Sequence, residues 1–418
     1  MIKILHFADA HIDIAGHGRH DAASGLPLRV LDFLKALDTI TDTAINEKVD
    51  LVIFAGDAYK DRTPSPTYQR EWGKRIARLS AAKIPTLLLT GNHDVSPASG
   101  RAHTMQEFDT LDVPYVRVVD KPAFLTPQDL WDLPLQVIAL PWIFRSGLMA
   151  SQMDQGLSAE GANEEIGKRI NDIISAWIEK LDPQLPAVMT AHATVQGATY
   201  GNERSVMLGK DIVLPGGLVK DTRMDYVALG HIHKFQDLNE GAHPPVIYPG
   251  SIERVDFGET DDDKCFVIAS VEKGQTTCEK RVLFGRRFFN LSVKVSDKDT
   301  LMEKVLKVLP EDKKIEEAMI RLEVEYPREL EVFLDEAALR EKCAGAFEFH
   351  LVRRPLEEAR SRFTPGDESV ANLPPLELLQ RYWKIIKLDS GDTESLQTLA
   401  ASIIQSVSGD ETAGTQGE

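Results

Sequence analysis

Residues 1–11 read MIKILHFADAH, a short apolar run that ends directly in acidic and imidazole side chains. The run Ile2–Leu5 predicts a buried strand, and Asp9 and His11 follow where that strand ends. The same order, a buried strand and then a polar cluster, returns at LVIFAGD (residues 51–57) and LLLTGNHD (residues 87–94). Because open α/β sheets place their ligands at the carboxyl ends of strands, this repetition predicts an α/β fold with a site along one sheet edge.

Helical and β-rich segments alternate through the first 280 residues, which is typical of a layered α/β domain. The spacing of apolar side chains predicts helices over 28–45 and 66–79. Residues 145–165, rich in Gly, Ser and Ala, are expected to form a mobile surface connection. The predicted strands are Ile2–Leu5, Asp50–Phe54, Pro85–Leu89, Val116–Val119, Val137–Leu140, Ala187–Thr190 and Tyr226–Leu229.

The composition narrows the class of protein. A chain of 418 residues with 43% hydrophobic side chains can build two or three modules with real cores. No apolar run approaches the roughly 20 residues of a membrane span. The three cysteines form no CxxC pair, so neither a zinc knuckle nor a disulfide framework is expected. The N-terminus lacks a signal-peptide pattern, and a reducing cytoplasm is the expected location.

The net charge of −17 argues mildly against a nucleic-acid binder, which usually carries a basic surface. Bound divalent cations would add positive charge that a residue count misses. The charge therefore predicts that this chain alone binds DNA weakly.

The pattern of apolar and polar residues changes near residue 285. FFNLSVKV (288–295), AMIRLEVEY (318–326) and FEFHLVRR (347–354) alternate as strands, with helical segments at 297–309 and 335–343, which predicts a small α+β module. Charged, Pro-containing residues 356–373 are typical of a linker. The expected division is therefore 1–284, 285–355, this linker, a helical segment 374–407 and a disordered tail 408–418.

Two short amphipathic helices are predicted within 374–407. Each is too short to be stable alone in water and needs a partner surface, which could belong to another protein or to this chain. The preceding linker favours another protein, and the lack of a basic face argues against lipid. The apolar stripes consist of Leu376, Leu379, Tyr382, Trp383 and Ile386, and of Leu396, Leu399 and Ile403.

Polar side chains that follow predicted strands form a candidate metal set. Carboxylate, imidazole and amide oxygen suit Mn, Fe or Zn better than Ca. Seven groups are too many for one ion with an open position, and they fit two ions that share a bridging carboxylate. Each cluster alone has an ordinary explanation as a turn or a buried histidine, but their order, each after a strand, predicts a two-metal site. The set is Asp9, His11, Asp57, Asn92, His192, His231 and His233.

These motifs resemble the calcineurin-like metallophosphoesterase superfamily over about the first 235 residues. HATVQGATYGNERS (192–205), ALGHIHKFQDL (228–238) and YPGSIERVDFGE (248–259) are similar to the SbcD-type nuclease subunits of prokaryotic double-strand-break repair complexes. The resemblance implies a four-layer β-sandwich flanked by helices, with a small α+β capping domain that contacts DNA. It also implies a homodimer and a C-terminal helical segment that binds an SbcC-type ABC/SMC-like ATPase.

The resemblance further implies roles for individual residues. His93 would face the scissile phosphate and stabilise charge or protonate the leaving oxygen, while Asp94 would orient His93 or only cap local backbone. The implied activity is Mn²⁺-dependent 3′–5′ exonuclease cleavage of duplex DNA and endonuclease cleavage of single strands and hairpins, with ATP used only by the partner. One ion would be held by Asp9, His11, Asp57 and His233, and the other by Asp57, Asn92, His192 and His231.

Groups around the metal set have two interpretations each. Some family members carry a histidine three residues after the bridging aspartate, where this chain has Lys60, and this departure leaves the balance of exonuclease and endonuclease cleavage open. Lys60, Arg62, Arg204, Lys210 and Arg254 could contact DNA phosphates or be ordinary surface charge. The stripe Tyr68, Trp72, Ile76 and Leu79 could meet a second subunit or cover the chain's own sheet.

Two other functions are compatible with the same residues. A cyclic-nucleotide phosphodiesterase or protein phosphatase could use this metal centre, although such an enzyme has no need of a cap and tethered helices. A non-catalytic scaffold is the second alternative, and the complete ligand set together with His93 argues against it.

Overall fold

The computed structural model describes residues 1–14, 18–95, 101–143, 159–201, 213–356, 374–385 and 396–404. The strands are β1 Ile2–Phe7, β2 Leu51–Phe54, β3 Thr86–Leu89, β4 Val116–Val119, β5 Ala123–Leu125, β6 Gln136–Leu140, β7 Ala187–His192, β8 Thr194–Val195, β9 Val213–Leu214, β10 Tyr226–Gly230, β11 Gln236–Asp237, β12 Val246–Tyr248, β13 Cys265–Glu272, β14 Gln275–Val282, β15 Phe288–Lys294, β16 Met319–Pro327 and β17 Glu348–Leu356. The helices are α1 Leu28–Asn46, α2 Pro66–Ala81, α3 Gln106–Thr110, α4 Ala159–Ile178, α5 Gly216–Val219, α6 Leu301–Val308, α7 Asp312–Ile315, α8 Glu336–Lys342 and α9 Pro375–Ile385, and residues 396–404 are also helical.

The first large sheet has six strands in the order β14-β13-β1-β2-β3-β4. Strands β1 to β4 run parallel, with Leu5 paired to Val52 and Leu88 to Val118. Strands β13 and β14 complete the sheet in antiparallel orientation. The polar clusters after β1, β2 and β3 therefore lie at one edge of this sheet.

The second large sheet has the order β11-β12-β10-β7-β6-β5. Its four central strands are parallel, and β5 and β11 are antiparallel at the two edges. Gly230 at the end of β10 pairs with His192 at the end of β7. The polar clusters that follow these two strands are thus level with each other.

Alternate side chains of each sheet enter different cores. In β1, Ile4 joins a core shared with the second sheet, whereas Leu5 and Phe7 join the core that contains α1 and α2. In β6, Val137 faces the shared core and Ile138 joins the core beneath α4. This alternation builds four layers, helix, sheet, sheet and helix. Both faces are covered at the central parallel strands, which explains why these strands read as continuous apolar runs.

The predicted strands and the two predicted helices are confirmed, with ends that differ by at most two residues. The expected surface connection over 145–165 is wrong from residue 159 onward, because these residues begin α4. Ile166, Ile170 and Ile174 of this helix are buried in the core with the second sheet. Their spacing of four residues is helical, but the small residues at the start of the helix obscured it. Residues 144–158 lie outside the described part.

The chain divides into two compact units. One comprises Met1–Leu291, Pro310–Arg321 and Lys342–His350, and the other comprises Ser292–Leu309, Leu322–Glu341 and the described residues from Leu351 onward. The three strands expected after residue 285 are present as a sheet of order β15-β16-β17, with α6 and α8 as the expected helices. The domain boundaries remain predictions, and most of the expected linker lies outside the described residues. Among the described helices, none is long and apolar enough to cross a membrane.

Candidate metal centre

Seven polar side chains meet where the two large sheets end. Loops after β1, β2 and β3 carry Asp9, His11, Asp57 and Asn92. His192 is the last residue of β7, and the loop after β10 carries His231 and His233. The backbone N–H of His231 donates to both carboxylate oxygens of Asp9, at 3.1 and 3.0 Å, which ties the two sheets together at this point. The structure therefore brings together the complete set that the sequence predicts.

Asp9, His11 and His233 form the first cluster. One potential ligand atom from each lies within 4.8 Å of the others. Nε2 of His11 and Nε2 of His233 are 3.1 Å apart, with ring centroids 5.0 Å apart. Two nitrogens that point at one another across this distance, beside a carboxylate, are suited to share a cation.

Asp57, His192 and His231 form the second cluster, again with ligand atoms within 4.8 Å. Oδ1 of Asn92 lies 3.1 Å from His192 Nε2 and 3.0 Å from His231 Nδ1. Three of these four side chains are less than 4% exposed, and Asn92 is 7% exposed. Buried nitrogen and oxygen donors around one point match the ligand preferences of a transition metal.

Asp57 connects the two clusters. Its Oδ2 lies 3.4 Å from His192 Nε2 in the second cluster and 3.8 Å from His11 Nε2 in the first. Its Oδ1 accepts the backbone N–H of His93 at 2.9 Å. This carboxylate therefore has the position that the sequence analysis expected of a bridging ligand.

The outer nitrogens of three histidines are already hydrogen-bonded. Nδ1 of His192 donates to the carbonyl of Ala55 at 2.6 Å, and Nδ1 of His11 donates to the carbonyl of Tyr59 at 3.3 Å. Nδ1 of His233 lies 2.8 Å from the Glu259 carboxylate. Each contact places a proton on Nδ1 and directs Nε2 into the centre, where it becomes the ligating atom once it is unprotonated. This arrangement, together with the mixed donor set, fits two divalent ions.

Four of the seven residues have left-handed backbone conformations that side chains rarely adopt. The φ angles are 51° at Asp9, 38° at His11, 65° at Asp57 and 102° at His231. Such conformations cost about 1–3 kcal/mol each and persist where the surrounding structure enforces them. Gly91 shows how close the loops approach, because a Cβ added there would lie 2.0 Å from Asp57 Oδ1.

The ionisable side chains of the two clusters shift the pKa values of one another. Burial would raise the pKa of Asp57, but the charge of His192 and the hydrogen bond to it hold that pKa well below its usual range. Burial disfavours the charged form of His192, yet Asp57 raises the pKa of His192 to about 9. Burial also raises the pKa of Asp9. Without a metal, the centre retains a proton on His192 at neutral pH, and a binding cation has to displace it.

His93 lies beside the first cluster, with its ring centroid 5.2 Å from that of His11. Its Nδ1 donates to the carbonyl of Lys60 at 2.8 Å, so this carbonyl orients the ring. The alternative expectation, that Asp94 orients His93, is wrong. The Asp94 carboxylate instead accepts three buried backbone N–H groups, from Asp57, Ala58 and Gly91, at 2.8–2.9 Å. Asp94 therefore caps the backbone of the loop that carries Asp57, which was the other interpretation of this residue.

An open groove of about 830 Å³ extends from His93 and is lined by Lys60, Arg62 and Tyr68 among other residues. Lys60 and Arg62 are exposed, and Nε of Arg62 donates to the carbonyl of Asn92 at 3.3 Å. Two of the residues expected to contact DNA, Arg204 and Lys210, lie outside the described part of the chain.

The expectation that Arg254 contacts DNA stays a prediction, and the structure shows a second role for this side chain. Its guanidinium donates to the backbone carbonyls of Thr260, Asp262 and Arg286 at 2.8–3.4 Å. Each of the three guanidinium nitrogens makes one of these bonds, so Arg254 holds the surrounding loops together.

The predicted dimer stripe is largely internal. Trp72, Ile76 and Leu79 are 1%, 1% and 2% exposed and belong to the core between α1, α2 and the first sheet. They leave no surface for a second subunit, so this part of the prediction is wrong, and the alternative that α2 covers the chain's own sheet is correct. Only Tyr68 is partly exposed.

The two C-terminal stripes differ from one another. In α9, Trp383 is 8% exposed and thus already covered, and Leu376, Leu379 and Tyr382 are partly buried. In the helix over 396–404, Leu396, Leu399 and Ile403 are 38%, 56% and 53% exposed. Ile386 lies outside the described residues.

Sequence reasoning missed three residues around the centre. The ring of Trp142 lies 5.0 Å from that of His231 and 6.1 Å from that of His192. Glu259 contacts His233, and the buried Lys264 contacts Glu259. A single tryptophan or carboxylate carries no spacing signal. Glu259 lies in YPGSIERVDFGE, a motif that contains none of the seven predicted ligands, and this position was the one sequence signal that Glu259 belongs to the site.

The calcineurin-like phosphoesterase family matches residues 2–235, which include all seven candidate ligands. The chain is 24% identical to "Uncharacterized metallophosphoesterase YhaO" of Bacillus subtilis, over 66% of this chain and 59% of that protein. It is 25% identical to a subunit of the nuclease SbcCD of Escherichia coli, over 66% of each chain. It is 24% identical to "DNA double-strand break repair protein Mre11" of Archaeoglobus fulgidus, over 62% of this chain and 52% of that one.

The chain thus spans between about half and two thirds of the length of these relatives. The family match covers more than half of the chain and includes both clusters. On these grounds the chain is a member of the calcineurin-like phosphoesterase family.

Proposed function

We propose that this chain is a DNA nuclease that hydrolyses phosphodiester bonds with two divalent cations and works with an ATPase partner in double-strand-break repair. The position of Asp57 Oδ2, within 3.4 and 3.8 Å of a histidine nitrogen in each cluster, carries the proposal. Two of the relatives named above are, by name, part of a nuclease and a double-strand-break repair protein, which favours DNA as the substrate.

The first ion would be held by Asp9, His11, His233 and Asp57, and the second by Asp57, Asn92, His192 and His231. When bound, such ions lower the pKa of water and neutralise phosphate charge in an in-line displacement. The protein's own part is to hold seven ligands at fixed positions in a largely buried site, which reduces the reorganisation needed during reaction.

His93 is placed to complete the chemistry. Its Nδ1–H is engaged by the carbonyl of Lys60, so the opposite nitrogen, Nε2, is the one that can carry a transferable proton. A doubly protonated ring donates a hydrogen bond from Nε2 to a phosphoryl oxygen and can protonate the leaving 3′ or 5′ oxygen. The ring borders both the first cluster and the groove, which suits this role.

The groove beside His93 supports a polymeric substrate. Asp13 and Asp61 also line it, but the carboxylates of both residues accept backbone N–H groups of the loop. Lys60 and Arg62 are exposed along the same wall. A phosphate that neighbours the scissile one would meet these cations, each worth little alone in a chain with a net charge of −17.

Manganese as the resident ion, a homodimer and a cytoplasmic location belong to the same proposal. The exposed apolar stripe Leu396, Leu399 and Ile403 is the candidate surface for an SbcC-type ATPase. A tethered helix with an exposed apolar face is the usual form of a helix-in-groove ligand.

Cleavage of end-labelled duplex and hairpin DNA with Mn²⁺ tests the proposal, with His93→Ala as the variant and the exposed His20→Ala as the matched control. We expect the rate to fall about 10²- to 10⁴-fold in His93→Ala, with Mn²⁺ binding retained, because His93 is not a ligand. The control should cut like the wild type. If the wild type leaves DNA intact with a cognate ATPase and ATP but hydrolyses a small phosphodiester, the DNA nuclease proposal is wrong.

A further inference from the structure

A buried ion pair stands behind the ligand His233. Nζ of Lys264 lies 2.7 Å from Glu259 Oε2, and Glu259 Oε1 contacts His233 Nδ1 at 2.8 Å. The Lys264 and Glu259 side chains are 1% and 4% exposed. Lysine and glutamate are rarely buried to this degree, and the desolvation of two charges can cost more than their attraction returns. A pair at this place therefore calls for a role beyond stability.

Lys264 contacts His233 by two routes. Its ammonium donates to the backbone carbonyl of His233 at 3.1 Å and to Ser251 Oγ at 2.8 Å. Through Glu259 the same ammonium also supports the imidazole ring. One buried cation thus fixes both the main chain of the ligand and the carboxylate that orients its ring. Glu259 Oε2 is held further by the backbone N–H of Val255 at 2.9 Å.

The support of His233 differs from that of the other anchored histidines. Nδ1 of His11 and Nδ1 of His192 donate to backbone carbonyls, which are neutral acceptors. Nδ1 of His233 donates to a carboxylate. Hydrogen bonds to an ionised acceptor are roughly twice as strong as neutral ones, and a carboxylate partner raises the basicity of the ligating nitrogen. The first cluster therefore contains a more basic histidine ligand than the second.

We propose that Glu259 and Lys264 are positioning residues that make the Asp9, His11 and His233 cluster the tighter of the two metal sites. Glu259 orients His233 and strengthens Nε2 as a donor. Lys264 keeps Glu259 and the main chain of His233 in a fixed relation. The inference rests on the metal centre of the proposed function and is independent of its DNA substrate.

Titration of the full chain with Mn²⁺, followed by the electron paramagnetic resonance signal of the free ion, tests the proposal. Glu259→Gln keeps the size and an acceptor oxygen but removes the charge. We expect it to weaken the more tightly bound ion about 10- to 100-fold and to leave the weaker one unchanged. Lys264→Met should lower the melting temperature, because it leaves a buried carboxylate without its cation.

The double variant Glu259→Gln with Lys264→Met separates the effect of the pair on Mn²⁺ affinity from its effect on stability. Removal of both charges should restore much of the melting temperature but not the Mn²⁺ affinity. Lys273→Met is the matched control, since it takes an ammonium from the buried carboxylate of Asp225, the residue that precedes β10. It should lower the melting temperature and leave both Mn²⁺ affinities unchanged.

Two results would overturn the inference. One is wild-type affinity for both ions in Glu259→Gln. The other is a double variant whose Mn²⁺ affinity returns together with its melting temperature, because the pair would then be structural only. The titration contains no DNA, so a failure to cut DNA would refute the proposed function and leave this inference standing. A wild type that binds no Mn²⁺ would refute both.

Discussion

Gly91→Ala should displace the Asp57 carboxylate, although the substitution replaces none of the candidate ligands. Gly91 does not have a left-handed φ, so the backbone accepts an L-residue and only space is at issue. The new Cβ would lie 2.0 Å from Asp57 Oδ1 and 2.6 Å from the Asp57 backbone nitrogen. Since side-chain carbons do not approach oxygen closer than 3.0 Å, the loops have to separate by about 1 Å.

The consequence should be large for activity and moderate for stability. Rotation of the Asp57 side chain cannot relieve the clash alone, because the backbone nitrogen of Asp57 is also too close. Overpacking of this kind costs about 1–3 kcal/mol in the free energy of unfolding. A displacement of about 1 Å at a reacting centre costs about 100-fold in rate. We therefore expect Mn²⁺-dependent DNA cleavage to fall by that factor in a protein that still folds.

The assay is single-turnover cleavage of a labelled hairpin, with thermal unfolding of the same samples. Gly73→Ala is the control, because Gly73 lies within α2 and an added Cβ meets no atom within 4 Å. This change should stabilise the protein by about 0.5–1 kcal/mol and leave cleavage unchanged. Cleavage by Gly91→Ala at the wild-type rate would refute the reasoning, since it would show that the position of the Asp57 carboxylate is not critical.

Three further outcomes follow from the contacts. Mn²⁺ affinity should rise by up to about tenfold per pH unit from pH 7 towards pH 9, because the pKa of His192 is raised to about 9 and its proton is displaced on binding. Calorimetry in buffers of different ionisation enthalpy measures the released proton, and an affinity that does not change with pH would contradict the prediction. Asp94→Ala should lower the free energy of unfolding by about 3 kcal/mol or more, because three buried N–H groups lose their acceptor. A normal melting temperature together with lost cleavage would instead indicate that Asp94 has a catalytic role. Trp72→Ala should cost about 3–5 kcal/mol in denaturant unfolding, and dissociation of a dimer without loss of stability would show that the stripe is an interface after all.

The site was predictable to the extent that topology fixes it. Parallel strands bring their carboxyl ends to one edge, so residues as distant as Asp9 and His231 could be assigned to one centre from the sequence. The bridging role of Asp57 came from the resemblance, and the structure then placed its Oδ2 between the clusters. The sheet order and the contact between the two sheets required coordinates.

The errors concern residues whose role depends on what lies opposite. The periodicity of α2 shows that Trp72 has an apolar partner, but it does not show whether that partner is the chain's own sheet. Arg254 is a cation in a motif, and the sequence does not show that its guanidinium donates to three backbone carbonyls. The pair Lys264 and Glu259 could not be foreseen, because composition treats both as surface charge.

Each candidate ion would take ligands from both halves of the sandwich. In the first cluster Asp9 and His11 come from one sheet and His233 from the other, and in the second Asp57 faces His192 and His231 across the same seam. A bound ion is therefore a removable cross-link between the sheets. At a free concentration about 100 times its dissociation constant, one such ion adds about 2.7 kcal/mol to the free energy of unfolding. Chelation would open the sandwich from its catalytic edge, so hydrogen exchange at the ends of β1 and β10 would report metal loss before global unfolding.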